Sequence, residues 1–309
     1  MKRIIYLSWP AQEITGGIKM AFRHAEALRE SGFEALIATQ DSRPPGWFET
    51  TVPVVGLAAV ERQRDVLAFP ENNHELLTQF ASWPNRKVVF CQNQILVCLG
   101  LGGQQDYAEF GVSDIICCSE MAAYFCRRRF PKLAVHVVPN YVDPGRFQCP
   151  NRKKLRIAFM PRKRPLELAC IHDLFRSDNP QFRGVPWHRI EGLPESEVAA
   201  VLRESAVFLS LCRFEACALS LLEAMASGCV VAGFTGIGSR EYTTEKNGFW
   251  AAEDDCIECV DQLKRAVELV SAGGSAYREM CEAAVLTARQ YSRQRFVQRL
   301  VEVWKILAV

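Results

Sequence analysis

The sequence predicts an α/β protein of two domains, each built on a parallel sheet covered by helices. Short apolar, β-rich runs alternate with longer segments of helical period along the whole chain, which is the pattern of parallel sheets. The 309 residues suffice for two domains of ordinary size. Residues 139–154, rich in proline, asparagine and charge, separate the two halves. We therefore predict domains at residues 1–148 and 149–291, followed by a helix over 292–309.

The strand-then-helix order repeats in both halves. The first half contains five predicted strands, at residues 3–8, 34–39, 87–91, 114–118 and 134–138. Between the first two strands, apolar residues recur at three- and four-residue spacing until Gly32, so a helix covers the sheet there. The second half contains four predicted strands, at residues 155–160, 187–190, 207–211 and 230–233, and a helix over 194–205.

The last segment of the chain has an apolar face at helical spacing. Its members are Phe296, Leu300, Trp304 and Leu307. Because an apolar stripe needs a partner, we expect the helix over 292–309 to pack back on the first domain.

The composition indicates a folded protein that does not bind nucleic acid. Hydrophobic residues make up 49% and charged residues 23% of the chain, as in packed globular proteins. A net charge of +2 provides no basic field for nucleic acid. The longest apolar run, residues 95–103, falls far short of the roughly 20 residues that span a bilayer. We expect a cytoplasmic protein without a transmembrane segment, for which peripheral membrane contact stays open.

The cysteines and carboxylates show no metal-binding pattern. The thirteen cysteines are scattered through the chain, and Cys256 and Cys259 form the one Cys-x-x-Cys pair, without a second pair or a suitably spaced histidine. No Asp-x-Asp motif is present to hold a divalent ion against a diphosphate. We predict reduced thiols, no metal and no cofactor.

The most informative stretch is residues 207–228, which predicts a buried strand, a short turn and a helix. Ligands of open α/β sheets bind at this carboxyl edge, and the N–H groups that start a helix favour phosphate oxygens. Glu215 lies in the turn and Glu223 in the helix, on different aspects of the element. They are therefore suited to contact two parts of one extended ligand; the alternative for Glu223 is a surface salt bridge.

This stretch resembles the signature of the retaining glycosyltransferases of family 4, which have a GT-B fold: two Rossmann-like domains facing each other across a cleft. The resembling letters are EACALSLLEAMASG, at 215–228, and similar segments lie at 139–143, 190–211 and 234–250. The resemblance implies that Glu215 lies near the donor sugar and that Glu223 binds the ribose. The exposed N–H groups of the helix start further predict donor binding at Ala218, Leu219 and Ser220.

Cationic residues follow the first strand of the second half. Arg162 and Lys163 lie at its carboxyl end, where positive charge stabilises a departing diphosphate. The family places an arginine and a lysine at this location, so we predict catalytic roles for both, with Arg164 as a substitute in donor binding. The alternative is a solvated charge run.

Glycines and amides complete the predicted site. Gly16 and Gly17 follow the first strand, where backbone amides can approach a phosphate. By resemblance, Gly236 and Gly238 lie near the sugar. Gln92 and Asn93 stand where many relatives have a histidine, and they are further candidates for sugar or acceptor contacts.

The resemblance implies transfer of a sugar from a nucleotide-diphosphate sugar to an acceptor hydroxyl, with retention, in polysaccharide, lipopolysaccharide or glycoconjugate synthesis. The acceptor, a glycan, a lipid-linked sugar or a small molecule, is left open. Ala216 and Ala218 replace glycines common in the family, which keeps a second interpretation open: a GT-B-like nucleotide- or sugar-binding protein without transfer activity. The absence of a recognisable secretory leader disfavours a periplasmic sugar-binding protein.

Overall fold

The computed structural model describes residues 2–308 and divides the chain into two compact units. The first unit comprises Met1–Asn140 together with Gln294–Val309, and the second comprises Tyr141–Arg293. Both are parallel α/β structures, so the predicted fold class is confirmed. None of the helices in residues 2–308 is long and apolar enough to cross a membrane.

The first unit is built on a seven-stranded parallel sheet of order β3-β2-β1-β4-β5-β6-β7. Its strands are β1 (Arg3–Leu7), β2 (Ala35–Thr39), β3 (Val54–Gly56), β4 (Asp65–Pro70), β5 (Lys87–Cys91), β6 (Val112–Cys117) and β7 (Ala134–Val137). Its helices are α1 (Gly16–Glu30), α2 (His74–Phe80), α3 (Val97–Leu101), α4 (Glu120–Arg129) and, from the end of the chain, α10 (Arg293–Leu307).

Helix α10 packs on the first unit, as its apolar stripe predicts. Trp304 is fully buried, and its indole N–H donates to the Tyr6 hydroxyl of β1 at 3.0 Å. The Phe296 ring lies 5.1 Å from the His24 ring of α1. The stripe is thus covered by the sheet and helix of the unit in which the chain begins.

Strand β4 is central to the sheet, yet the sequence pattern did not reveal it. Its run begins with the charged Asp65 and ends with Pro70, which favours a loop interpretation. In the structure the Asp65 carboxylate accepts from the Arg3 guanidinium at 2.7 Å, so its buried charge is compensated. β3 and the short second-unit strand β12 (Phe249–Ala251) also lie outside the predicted strands.

The second unit has a five-stranded parallel sheet of order β12-β11-β10-β8-β9. Its other strands are β8 (Lys154–Phe159), β9 (Trp187–Arg189), β10 (Ser205–Leu211) and β11 (Val230–Phe234). Its helices are α5 (Pro165–Asp178), α6 (Glu195–Glu204), α7 (Leu219–Ala226), α8 (Cys256–Ala272) and α9 (Gly274–Arg289).

The division between the units lies at Asn140, before the boundary expected at 148. Val142 and Phe147 are buried in the apolar core of the second unit, and the Val142 N–H donates to the carbonyl of Tyr291 at 3.0 Å. The proline- and asparagine-rich composition of this segment conceals these two apolar anchors, which attach it to the second unit.

Candidate functional site

The candidate site lies at the carboxyl edge of the second sheet. Three loops at this edge follow the strands β8, β10 and β11. These strands are adjacent in the sheet, in the order β11-β10-β8. The three loops carry Lys163, Glu215 and the glycines at 236 and 238, respectively. Because the carboxyl edge is where open α/β sheets bind ligands, the topology places these sequence-predicted residues where a donor is expected.

Lys163 and Glu215 form the charged pair of the site. The Lys163 ammonium lies 3.7 Å from a Glu215 carboxylate oxygen, and the two side chains are 30% and 25% exposed. Arg162 is exposed in the same helical turn, Pro161–Lys163. A partly exposed ammonium can exchange a carboxylate partner for a phosphate, since both accept charge-assisted hydrogen bonds.

The Glu215 loop is held against the loop that follows β11. The other Glu215 carboxylate oxygen accepts from the Arg213 backbone N–H at 3.0 Å, and the Glu215 carbonyl accepts from the Gly238 N–H at 2.9 Å. A Cβ at Gly238 would clash with the backbone carbonyl of Ala216. The two loops approach so closely that glycine is needed at 238, and the structure thus brings Gly236 and Gly238 beside Glu215.

Helix α7 begins directly after this loop. Its N-cap residue is Ala218, which provides no side-chain cap for the first N–H groups of the helix. Leu219 and Ser220 in the first turn are partly exposed. An N-terminus of this kind carries a partial positive charge. Glu223 lies farther along α7 and is only 6% exposed, which does not fit the alternative of a solvated surface salt bridge.

Arg164 occupies a position that does not fit the donor contact expected of it. Its side chain is fully buried, its Nε donates to the Cys212 carbonyl at 2.9 Å, and its guanidinium pairs with Glu253, Asp254 and Glu167. Because its charge is compensated and enclosed, it does not substitute for Lys163. It connects the loops that follow β8, β10 and β12 instead.

The anchor at Arg164 extends to the glycine loop. The Glu253 carboxylate that pairs with Arg164 also accepts from the Gly236 N–H at 2.8 Å, and the Arg164 guanidinium lies 4.2 Å from the centre of the Phe234 ring. Sequence reasoning missed Glu253 because β12, the strand that precedes it, was not recognised. A signal was present: a paired Glu-Asp at 253–254 directly after the apolar run Phe249–Ala251.

The first unit brings two of its predicted residues together. The Gln92 amide donates to the Gly17 carbonyl at 3.0 Å. The carboxyl end of β5 and the start of α1 therefore meet at one edge of the sheet. Gly16 is exposed at the first position of α1. The Asn93 side chain accepts from the Ile95 N–H at 3.0 Å, which caps a local turn. The ligand contacts of these four residues stay predictions.

Glu71 is a buried carboxyl that sequence reasoning missed, because it follows the unrecognised β4. It is 4% exposed and accepts from the Gln92 N–H at 3.2 Å. Desolvation raises the pKa of this carboxyl from 4.5 to about 7. A titratable group near neutrality thus lies beside Gln92, at the carboxyl edge of the first sheet.

Comparison with known proteins finds a family match within the second unit and a relative that aligns with most of the chain. Residues 178–291 match the family described as glycosyl transferases group 1. A curated relative, the α-1,6-glucosyltransferase of Actinobacillus pleuropneumoniae serotype 7 (strain AP76), is 29% identical over 278 residues, 85% of this chain and 83% of the relative.

Several solved structures resemble the whole chain, and the following are two of them. Sucrose-phosphate synthase from Thermosynechococcus elongatus superposes with a TM-score of 0.73 at 12% identity, covering 99% of both chains. HepE from Anabaena, in complex with UDP-glucose, also gives a TM-score of 0.73 at 12% identity, covering 99% of this chain and 100% of HepE. The predicted GT-B fold is confirmed, and the family match includes the segment that carries Glu215 and Glu223.

Proposed function

We propose that this chain, which is a glycosyltransferase of GT-B fold, transfers a glucosyl residue from UDP-glucose to an acceptor hydroxyl with retention of configuration. The observation that carries the proposal is the pairing of Lys163 with Glu215 at the sheet edge where α7 begins. A cation, a carboxylate and a helix start suit a diphosphate, a sugar hydroxyl and phosphate oxygens, respectively.

The choice of UDP-glucose rests on one sequence relative and one structural neighbour. The curated relative is named an α-1,6-glucosyltransferase, and the HepE crystals contain UDP-glucose. By analogy with the relative's name, the proposed acceptor group is the primary 6-hydroxyl of a sugar, as in the synthesis of a polysaccharide or glycoconjugate.

Each polar group of the site has a proposed role. Lys163, assisted by the exposed Arg162, neutralises the charge that develops on the diphosphate as the glycosidic bond breaks. The N–H groups at Ala218, Leu219 and Ser220 receive phosphate oxygens. Glu215 accepts hydrogen bonds from glucose hydroxyls, and Glu223 accepts them from the two ribose hydroxyls.

The proposed reaction needs no nucleophile from the protein and no divalent metal. The acceptor hydroxyl attacks the anomeric carbon from the face that the diphosphate leaves, and a leaving phosphate oxygen takes the acceptor proton. In this scheme Lys163, Arg162 and the start of α7 supply the positive charge that stabilises the leaving group. Activity that is unchanged by EDTA and that forms an α-linked product is the expected result.

The first experiment compares donors. The purified chain is incubated with UDP-glucose, UDP-galactose, UDP-N-acetylglucosamine and GDP-glucose, with glucose and glucosides as acceptors. We expect turnover of UDP-glucose and a product with the small anomeric proton coupling of an α-linkage. UDP binding without hydrolysis or transfer from any donor would favour the binding-protein alternative, and a β-linked product would refute retention.

The second experiment tests the residue roles. Replacing Lys163 by alanine is expected to lower kcat about 100-fold, the effect of removing one transition-state charge partner. Replacing Glu223 by alanine is expected to weaken UDP binding about 10- to 100-fold. Lys264→Ala serves as the matched control, since that lysine is exposed on α8. Parental kcat and UDP affinity in both site variants would refute the assignment.

A further inference from the structure

Three buried thiols converge between the first sheet and helix α4. Cys91 and Cys117 end β5 and β6 and are directly paired in register, so their side chains lie on the same face of the sheet. Cys126 projects from α4 onto that face. Each of the three residues is fully buried, and their sulfur atoms all lie within 4.8 Å of one another.

The spacing matches that of a coordination site. Metal–sulfur bonds of about 2.3 Å place three sulfurs of a trigonal site about 4 Å apart. The Cys126 and Cys91 sulfurs are separated by 3.8 Å, so one ion can enter between them with little movement of the sheet. Among residues 2–308, this is the one set of three or more cysteine, histidine or carboxylate side chains whose ligand atoms lie close enough together to share an ion.

The chemistry of the three side chains suits a soft cation. Thiolate is the form of cysteine that binds metals, so a cation that enters between the three sulfurs displaces the thiol protons.

We propose that Cys91, Cys117 and Cys126 form a three-coordinate site for a thiophilic monovalent cation, Cu(I). Thiolate ligands select soft ions such as Cu(I). Structural zinc sites take four ligands, whereas this enclosed cluster offers three and leaves no exposed position. Binding forms up to three metal–sulfur bonds and releases the thiol protons to solvent, with no change of oxidation state. This inference is independent of the sugar transfer and revises the expectation of a metal-free chain.

The test titrates the reduced full-length chain with Cu(I) under anaerobic conditions, in competition with bicinchoninate. We expect one ion per chain and a loss of affinity of at least about 100-fold in Cys126→Ala and Cys117→Ala. Cys118→Ala is the matched control: that thiol is also buried, and it follows Cys117 directly, but it lies outside the cluster. It should retain the parental affinity.

A spectroscopic measurement on the unchanged protein guards against variants that fail to fold. X-ray absorption at the copper edge should show three sulfur neighbours at about 2.3 Å. A sulfur count of two or four, a stoichiometric ion that survives Cys126→Ala, or no binding in competition with bicinchoninate would each overturn the proposal.

Discussion

Replacing Arg164 by methionine tests whether this buried guanidinium holds together the loops of the candidate site. Methionine keeps an apolar stem of similar length and removes the charge and the hydrogen bonds. The replacement leaves the Cys212 carbonyl without its 2.9 Å donor, and it removes the ion-pair partner of Glu253. The effect should therefore appear both in the stability of the second unit and in the position of its loops.

The expected loss can be estimated from those contacts. A buried acceptor without its donor costs about 1–3 kcal/mol, and breaking a buried ion pair by removing one partner costs about 3–5 kcal/mol. The Glu253 side chain is 28% exposed and keeps its bond from the Gly236 N–H, which moderates the second cost. We expect the free energy of unfolding of the second unit to fall by about 3 kcal/mol.

Hydrogen exchange of the β10 and β11 amides during urea titration reports on the second unit separately from the first. Arg183→Met is the matched control, since Arg183 is exposed shortly after α5, the helix that Arg164 precedes. It should change the free energy of unfolding by less than about 0.5 kcal/mol. A double-mutant cycle with Glu253→Gln measures the coupling directly, and we expect at least about 1 kcal/mol.

Two results would refute the reasoning. One is a stability of Arg164→Met within about 0.5 kcal/mol of the parent, which would show that the loops do not depend on the guanidinium. The other is strict additivity in the cycle with Glu253→Gln, which would show that the ion pair contributes nothing beyond the separate residues.

Trp304→Ala should lower the free energy of unfolding of the first unit by about 3–5 kcal/mol, measured by denaturant titration, because a fully buried ring and its bond to Tyr6 are lost; a loss no larger than that of the exposed Ile306→Ala would contradict this. Glu71→Gln should remove part of the pH dependence of the free energy of unfolding. Burial raises the pKa of this carboxyl to about 7 in the folded chain, against 4.5 in the unfolded chain. Its contribution to stability is therefore greatest below pH 4.5 and declines as pH rises through 7. The stability of the variant relative to the parent should thus rise by about 3 kcal/mol between pH 4 and 8, and identical pH profiles would rule this out. Gly238→Ala should weaken UDP binding about tenfold or more, measured by calorimetry, because its Cβ displaces the Glu215 loop; an effect as small as that of Gly184→Ala, where a Cβ meets nothing within 4 Å, would count against it.

Part of the site could be predicted from short stretches of chain. Lys163 follows its strand by a few residues, and Glu215 and Glu223 lie within one strand-turn-helix element. Local periodicity and motif spacing report such neighbours directly. Whether Lys163 and Glu215 meet was not readable from spacing, and it followed from β8 and β10 being adjacent in the sheet.

The roles of Arg164 and Asp65 required the tertiary structure. In the sequence, Arg164 is the third member of a basic run, and local spacing does not reveal that its surroundings differ from those of Arg162 and Lys163. In the structure its guanidinium is buried and pairs with the carboxylates of Glu253 and Asp254, 89 and 90 positions away, which compensate its charge. Asp65 likewise favours a loop when the sequence is considered alone. In the structure Arg3, 62 positions away, compensates the buried charge of Asp65, which allows β4 to be a central strand.

The sequence by itself determined the alternation of strands and helices, the apolar stripe of α10 and the signature around Glu215, since each depends on residues within a few turns of chain. The tertiary structure alone decided which charges are enclosed and which remain exposed to a ligand. The physical reason is that the cost of burying a charge is set by partners that folding brings from distant parts of the chain.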